Sequence, residues 1–278
     1  MNITGNIKKA AQILNDADAV LITAGAGIGV DSGLPDFRGN EGFWKAYPPI
    51  SKLGISFSEM ANPYWFERKP RLAWAFYGHR LNLYRRTIPH SGFYQLLEIS
   101  RNKPGGYFVF TSNVDGQFQK AGYDDDRIEE CHGTIHWFQC TQVCTHTIWD
   151  ASDIQVKVDE EKFEALDPLP ECVNCGSLAR PNILMFGDWS WIGSRTDDQS
   201  RRLASWLSDI KLMNYKLAIV EMGAGQALPT VRWKSESAAM TYNGTLIRIN
   251  PRDHAVPEGH ISIPMGTAEA VDKIYKCI

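Results

Sequence analysis

Two pairs of closely spaced cysteines have the most clearly defined chemistry in the chain. Cys140 and Cys144 are separated by three residues, and Cys172 and Cys175 by two. Four thiolates suit a closed tetrahedral Zn²⁺ site, which has a structural role because it leaves no coordination position open for catalysis. In a reducing compartment such pairs favour a metal over disulfides. The sequence therefore predicts a structural zinc site, with His146 open as an alternative to one cysteine.

A histidine and a polar cluster have the side chains that proton transfer and ligand positioning require. His132 follows a predicted strand and precedes the cysteine-bearing region, and a neutral histidine can accept a hydroxyl proton near neutral pH. Asn113 and Asp115 follow another predicted strand, and open α/β sheets bind ligands at the carboxyl ends of their strands. The alternative for these two residues is an Asx-type turn that caps the next helix. We interpret His90 and His136 as structural.

A glycine-rich segment has the composition of a nucleotide-binding turn. Residues 19–22 (AVLI) predict a buried parallel strand, and Gly25, Ala26, Gly27 and Gly29 follow it. Glycines at a strand end allow positive φ and close approach of the backbone to a ligand. N–H groups near the start of the next helix can then hold a pyrophosphate. The glycine spacing alone is a weak signal, because similar turns occur in loops that bind no nucleotide.

Alternating strands and helices must position these residues. Apolar runs that predict strands recur at 19–22, 106–110, 216–220, 244–249 and 261–263, and most end in glycine or polar residues. Between these runs, apolar residues at helical spacing predict helices. This alternation predicts an α/β fold, with a Rossmann-like doubly wound parallel sheet.

Two segments interrupt the alternation and predict a smaller module. Residues 41–88 are rich in aromatics and prolines and predict a helical insertion, whose aromatic residues we interpret mainly as its core. Residues 137–179 carry the paired cysteines and predict a zinc-binding segment. We therefore assign residues 1–40, 89–136 and 180–278 to the main domain.

Composition limits the classes of partner. The chain has 278 residues and a formal net charge of −3, which argues against nucleic-acid binding through a basic surface. No apolar run approaches the roughly 20 residues that cross a membrane, and the N-terminus lacks the core of a signal peptide. We expect a cytoplasmic protein without nucleic-acid or membrane partners.

Several motifs together resemble one family. The segment GAGIGVDSGLPDFRG, residues 25–39, resembles the cofactor-binding loop of the sirtuins, the NAD-dependent protein deacylases. The motifs NVDG, HG, two cysteine pairs, RPNILMFG, a glycine turn and IN follow in the family's order. The resemblance covers nearly the whole chain, and it implies a Rossmann-like NAD-binding domain and NAD-dependent deacylation of lysine on proteins or peptides. The implied products are free lysine, nicotinamide and O-acyl-ADP-ribose.

The resemblance also implies roles for individual residues. His132 corresponds to the family's general base, which activates a ribose hydroxyl, and Asn113 and Asp115 join it as catalytic residues. Phe186 and Gly187 resemble the segment that pairs with an extended substrate peptide. The implied NAD-binding residues are Gly25, Ala26, Gly27, Asp36, Phe37, Arg38, Ser112, Asn113, Asp115, Gly223, Ala224, Gly225 and Asn250.

Tyr77 and Arg80 bear on the acyl group. Their Tyr-x-x-Arg spacing places them one helical turn apart, and sirtuins that remove acidic acyl groups such as succinyl or malonyl are similar here. Arginine suits the task, because its planar fork can bind a carboxylate through two hydrogen bonds. The alternative is an exposed helix face with ordinary charge.

Three departures from the family pattern leave other functions open. Gly29 stands where the family has serine, Ser112 where it has glutamine, and residues 223–225 (GAG) where it has Gly-Thr-Ser. One alternative is a protein ADP-ribosyltransferase or an NAD glycohydrolase on the same scaffold. The other is a non-catalytic module that binds NAD or ADP-ribose.

Overall fold

The computed structural model describes residues 2–35 and 39–278, with side chains described from residue 42 onward in the second range. The helices are α1 (Ile3–Asp16), α2 (Gly39–Ala46), α3 (Pro48–Lys52), α4 (Phe57–Met60), α5 (Tyr64–Arg68), α6 (Pro70–Arg86), α7 (Ser91–Arg101), α8 (Gln117–Lys120), α9 (Ser194–Leu212), α10 (Thr230–Thr241) and α11 (Thr267–Tyr275). The strands are β1 (Ala19–Ala24), β2 (Gly106–Thr111), β3 (Ile128–Glu130), β4 (Gly133–Cys140), β5 (Trp149–Asp150), β6 (Val158–Asp159), β7 (Glu164–Ala165), β8 (Ala179–Ile183), β9 (Leu217–Met222), β10 (Thr245–Ile249) and β11 (Ile261–Ile263).

The main sheet confirms the doubly wound fold. Its six strands lie in the order β11-β10-β9-β1-β2-β3, and every neighbouring pair is parallel. Chain order reverses between β1 and β9, so their carboxyl ends border the crevice in which such sheets bind ligands. The predicted strands at residues 19–22, 106–110, 216–220, 244–249 and 261–263 correspond to β1, β2, β9, β10 and β11.

Helices cover both faces of this sheet, which explains why its strands read as continuous apolar runs. In β1, Val20 and Ile22 pack in the cluster that α1, α7 and α11 complete, whereas Leu21 packs in the cluster of α9 and α10. Alternate residues of a strand point to opposite faces, so both faces of β1 are buried.

The smaller module combines helices α2 to α6 with a three-stranded antiparallel sheet in the order β5-β4-β8. Its core confirms the interpretation of the aromatic insertion, since Phe43, Tyr47, Trp74 and Phe76 are almost completely buried. The strand β8 pairs with β4, so residues 179–183 contribute to this sheet before the chain returns to α9. The division of the chain into domains stays a prediction.

Across residues 2–35 and 39–278, the helices lack the combination of length and apolar character that crossing a membrane requires.

Candidate functional site

The four paired cysteines form one cluster. The Sγ atoms of Cys140 and Cys175 are 3.7 Å apart, those of Cys144 and Cys172 are 3.6 Å apart, and all four lie within 4.8 Å of one another. Zn–S bonds of about 2.3 Å at tetrahedral angles separate sulfurs by about 3.8 Å, so the cluster fits Zn²⁺. His146 does not belong to this group within the described chain.

Two turns of the backbone bring the zinc ligands together. Cys140 ends β4, and Gly176 turns the chain after Cys175 with a φ of +73°. The N–H of Gly176 donates to the carbonyl of Cys172 at 2.9 Å, which closes the second cysteine pair into a tight loop. The site joins distant segments and leaves no coordination position for chemistry, so its role is structural.

The two glycine turns predicted to bind the cofactor lie against each other at the carboxyl edge of the main sheet. The N–H of Gly27 donates to the carbonyl of Gly223 at 3.0 Å. Gly223 has a φ of +62°, and a Cβ there would lie 2.2 Å from the backbone nitrogen of Ile28. A Cβ on Gly25 would likewise lie 2.9 Å from the Gly223 carbonyl oxygen, so side chains at Gly25 and Gly223 would separate the turns. Glycine is therefore required for the backbone N–H groups of both turns to line one crevice.

The structure describes Gly29 but not the end of the predicted cofactor loop. A Cβ on Gly29 would lie 3.0 Å from Cδ1 of Leu34, so this glycine is packed against the loop itself. The predicted NAD-binding residues Asp36, Phe37 and Arg38 lie outside the described residues.

His90 and Asp31 anchor the cofactor loop from outside the crevice. The Nδ1 atom of His90 accepts from the N–H of Gly92 at 3.1 Å, so Nε2 carries the proton that bonds the carbonyl of Ile28 at 3.1 Å. Asp31 accepts from the N–H of Ala268 at 2.8 Å. The structural interpretation of His90 is confirmed. The sequence did not predict this anchoring, because no local pattern links residue 90 to residue 28.

Asn113 and Asp115 lie at the carboxyl end of β2, beside the first glycine turn. The Nδ2 of Asn113 donates to the carbonyl of Gly25 at 3.2 Å. Asp115 accepts from the N–H of Gln117 at 3.0 Å, so the Asx-type turn is also present. Burial, with a smaller contribution from Glu130, raises the pKa of Asp115 to about 6. This buried carboxyl group therefore titrates close to neutral pH.

His132 lies between β3 and β4, next to the same edge. Its carbonyl accepts from the N–H of Leu184 at 3.0 Å, and its ring is half-buried. Burial lowers the pKa of this imidazole, while a hydrogen bond with the Ser112 backbone opposes the shift. The ring is therefore neutral near pH 7 and able to accept a proton. Ser112, one of the predicted NAD-binding residues, thus contacts His132 through its backbone.

Gly133 fixes the backbone that carries His132. Its φ is +72°, and a Cβ there would lie 2.1 Å from the carbonyl oxygen of Asn182. The residue pairs with Ile183, so the first residue of β4 lies opposite the last residue of the antiparallel strand β8. His-Gly is consequently a geometric requirement at this place as well as a motif.

His136 supports the same polar cluster. Its Nε2 lies 3.0 Å from the carbonyl oxygen of Asp115, and burial lowers the pKa of the ring. The structural interpretation of this histidine is confirmed.

Tyr77 and Arg80 are buried inside the small module. The Nε and Nη2 atoms of Arg80 donate to the hydroxyl of Tyr84 at 3.0 and 2.9 Å, and its guanidinium lies over the Phe76 ring. Arg80 is 6% exposed and Tyr77 only 1%. The alternative of an exposed helix face is therefore wrong. Tyr84 was missed, although it lies four residues after Arg80 on the same helix and therefore within reach.

Phe186 and Gly187 form part of an extended segment that leaves β8. The N–H of Phe186 donates to the carbonyl of Ala61 at 2.9 Å, and the Phe186 side chain is 37% exposed. Gly187 then turns the chain with a φ of +67°. The next residue, Asp188, bonds Arg180 through both carboxylate oxygens at 2.7 and 2.9 Å in a fully buried pair that the sequence did not reveal.

Asn250 ties the second glycine turn to the loop after β10. Its Nδ2 donates to the carbonyl of Ala224 at 2.8 Å, and its Oδ1 accepts from the N–H groups of Arg252 and Asp253 at 3.0 Å. The side chain is fully buried. Asn250 thus shapes the turn at residues 223–225.

Known proteins resemble the chain in sequence. A protein named NAD-dependent protein deacylase from Pyrococcus abyssi is 34% identical over 185 residues, 66% of each chain. One of the same name from Aquifex aeolicus is 32% identical over 173 residues, 61% of this chain and 62% of the relative. These alignments span less than two thirds of the relatives' length. A Thermus thermophilus protein of the same name is 28% identical over 272 residues, 95% of this chain and 92% of the relative.

Solved structures share the fold. A Sir2 homologue in complex with NAD has a TM-score of 0.70 at 23% identity, covering 96% of this chain and 92% of that chain. A structure described as the basis for the mechanism and regulation of Sir2 enzymes has a TM-score of 0.63 at 25% identity, covering 98% and 97%. The family model described as the Sir2 family matches residues 25–199. The resemblance to sirtuins is thereby confirmed, and the chain belongs to the Sir2 family.

Proposed function

We propose that the protein is an NAD-dependent protein-lysine deacylase. The observation that carries this proposal is a half-buried, neutral His132 that is hydrogen-bonded to the Ser112 backbone, next to Asn113, whose side chain holds the first glycine turn. A neutral imidazole at a ligand-binding crevice is suited to proton abstraction. Family membership and the names of the relatives support the same activity.

The residues divide the work between holding NAD and moving a proton. Backbone N–H groups of the turns at residues 25–27 and 223–225 would hold the phosphates, as glycine-rich strand ends do. Asn113, fixed to the Gly25 carbonyl, would orient the nicotinamide end. When bound, NAD would supply the electrophilic C1′ of its nicotinamide ribose, which bonds to the acyl oxygen as nicotinamide leaves. His132 would accept the ribose hydroxyl proton at a ring nitrogen.

The acyl group is a finer proposal. Arg80 places a buried guanidinium among the rings of Phe76, Tyr77 and Tyr84, and burial among phenols strengthens its attraction for a carboxylate. We propose that succinyl- or malonyl-lysine is preferred to acetyl-lysine. Phe186 and Gly187 would contact the substrate peptide. The substrates are acylated lysines on proteins or peptides.

The setting of the protein is a further part of the proposal. Four of the six cysteines are grouped as zinc ligands rather than joined in disulfides, which supports a reducing, cytoplasmic location. The net charge of −3 supports the absence of nucleic-acid partners. We also propose that membranes are not among its partners.

Turnover of labelled NAD with acetyl- and succinyl-lysine peptides tests the activity. The proposal expects nicotinamide release that depends on peptide, and it expects sustained turnover to O-acyl-ADP-ribose to be lost in His132→Ala. Nicotinamide release at the same rate without peptide would identify an NAD glycohydrolase. Label that stays on protein would identify an ADP-ribosyltransferase. Binding of NAD without turnover would identify a non-catalytic module.

The acyl preference has its own test in the same assay. Succinyl peptide should turn over faster than acetyl peptide, and Arg80→Met should reverse the order. Equal rates on both peptides, unaffected by the substitution, would contradict the preference and leave deacylation intact.

A further inference from the structure

A buried ionic network lies at the carboxyl ends of β9 and β10. Arg248 bonds Glu221 through two parallel hydrogen bonds, Nε to Oε1 at 2.5 Å and Nη2 to Oε2 at 2.8 Å. Its Nη2 also bonds Oε1 of Glu236 at 2.8 Å. Arg248 is 1% exposed and Glu221 is not exposed at all. The two charges occupy the interior next to the crevice.

Such a pair contributes little to stability by itself. Desolvation of two buried charges offsets much of their attraction, and apolar residues of similar size often replace a buried pair without loss of stability. The flanking residues Val220 and Met222 on β9, and Ile247 and Ile249 on β10, are apolar. The further contacts of the Arg248 guanidinium therefore indicate a role other than stabilisation.

Arg248 reaches out of the sheet to the loop that follows β10. Its Nη1 donates to the carbonyl of Ala255. Arg232, on α10, donates to the carbonyls of Asp253 and Ala255 at 2.7 and 3.2 Å. Together with the Asn250 side chain, these two arginines hold the shape of residues 250–255.

This loop borders the crevice. Asn250 bonds the carbonyl of Ala224, and the neighbouring Gly223 contacts the first glycine turn. The turn at residues 223–225 contains only glycine and alanine, so it has no side-chain donor or acceptor for a ribose hydroxyl. Recognition on this side of the crevice depends on backbone groups and on the adjoining loop.

We propose that Arg248 is a positioning residue for the ADP-ribose part of NAD. Held by Glu221 and Glu236, it fixes residues 250–255 in the shape that binds this part of the dinucleotide. The inference rests on the proposed function in so far as NAD is the ligand. Binding of ADP-ribose to the protein is measured directly, so the test needs no turnover of NAD.

The test replaces the pair by apolar residues, using Glu221→Leu together with Arg248→Met. Removing both charges leaves neither buried alone, so the variant should keep a melting temperature close to that of the unchanged protein. Affinity for ADP-ribose, measured by calorimetry, should fall about tenfold or more, the effect of losing a charge-assisted hydrogen bond that orders the site.

The matched control removes a second buried pair, whose Arg180 lies on β8 in the sheet of the smaller module, by Arg180→Met with Asp188→Leu. ADP-ribose affinity should be unchanged in this variant. If the Glu221 and Arg248 variant does not fold, Arg232→Met decides the matter, because this half-buried arginine also donates to the Ala255 carbonyl, as well as to that of Asp253, and its loss should also weaken binding.

Unchanged ADP-ribose affinity in the folded variant, or in Arg232→Met if that variant is needed, would overturn the inference. An equal loss of affinity in the control pair would overturn it too. A failure of the unchanged protein to bind ADP-ribose would instead contradict the proposed function, so the two failures are distinguishable.

Discussion

Replacing Gly133 with alanine should displace His132 and destabilise the protein. The φ of +72° is a left-handed conformation that alanine adopts only at a cost of about 1–2 kcal/mol. The added Cβ would lie 2.1 Å from the carbonyl oxygen of Asn182, whereas ordinary contacts begin at 3.4 Å. The start of β4 and the end of β8 must therefore move apart by more than about 1 Å, as overpacking in a tight site requires.

That movement stretches the hydrogen bond between the Leu184 N–H and the His132 carbonyl. Its loss adds about 1 kcal/mol, so the free energy of unfolding should fall by about 2–3 kcal/mol in total. For a chain of this size the melting temperature should fall by roughly 5–10 °C. A displacement of about 1 Å at the base should lower kcat/KM on the order of a hundredfold.

Thermal unfolding and peptide-dependent NAD turnover measure the two effects. Gly259→Ala is the matched control, since its φ is +84° but no atom lies within 4 Å of the added Cβ. It should lose about 1 kcal/mol and retain full activity. The reasoning fails if Gly133→Ala is as stable and active as this control.

Three further predictions concern the base, the buried carboxyl and the metal. Because burial lowers the pKa of His132 below its usual value, kcat/KM should stay level as the pH falls to the ordinary imidazole value of about 6.5 and should decline only below it; a decline already above pH 7 would contradict a neutral, buried base. Burial raises the pKa of Asp115 to about 6, so this carboxyl ionises at a higher pH in the folded state than in the unfolded state. Its ionisation therefore lowers the free energy of unfolding as the pH rises from about 4 through 6. Asp115→Asn should therefore raise the melting temperature at pH 7.5 and leave it nearly unchanged at pH 4, whereas equal shifts at both pH values would refute this origin. The purified protein should contain about one equivalent of zinc, which Cys172→Ser removes with a loss of stability and His146→Ala retains; retention of zinc by the serine variant would exclude the four-thiolate site.

Elements whose residues are close in sequence could be predicted well. The alternation of apolar runs identified the strands of the main sheet, because a strand buried on both faces has a continuous apolar pattern. The spacing within each cysteine pair indicated a metal site, because two thiolates in a short turn can share one ion. Helical spacing placed Tyr77 and Arg80 on one helix, although it could not reveal that both are buried.

Contacts between distant segments were decided only by the tertiary structure. The pairing of β4 with β8 brings Gly133 against Asn182, and the start of α7 brings His90 against the cofactor loop. The order of the main sheet brings Gly223 against Ile28. The same order joins Glu221 to Arg248 across neighbouring strands. The sequence by itself determined the local elements, the motif order and the family, since these depend on short-range pattern. Which turns meet, and which charges they enclose, depends on strand order and packing, which no local pattern specifies.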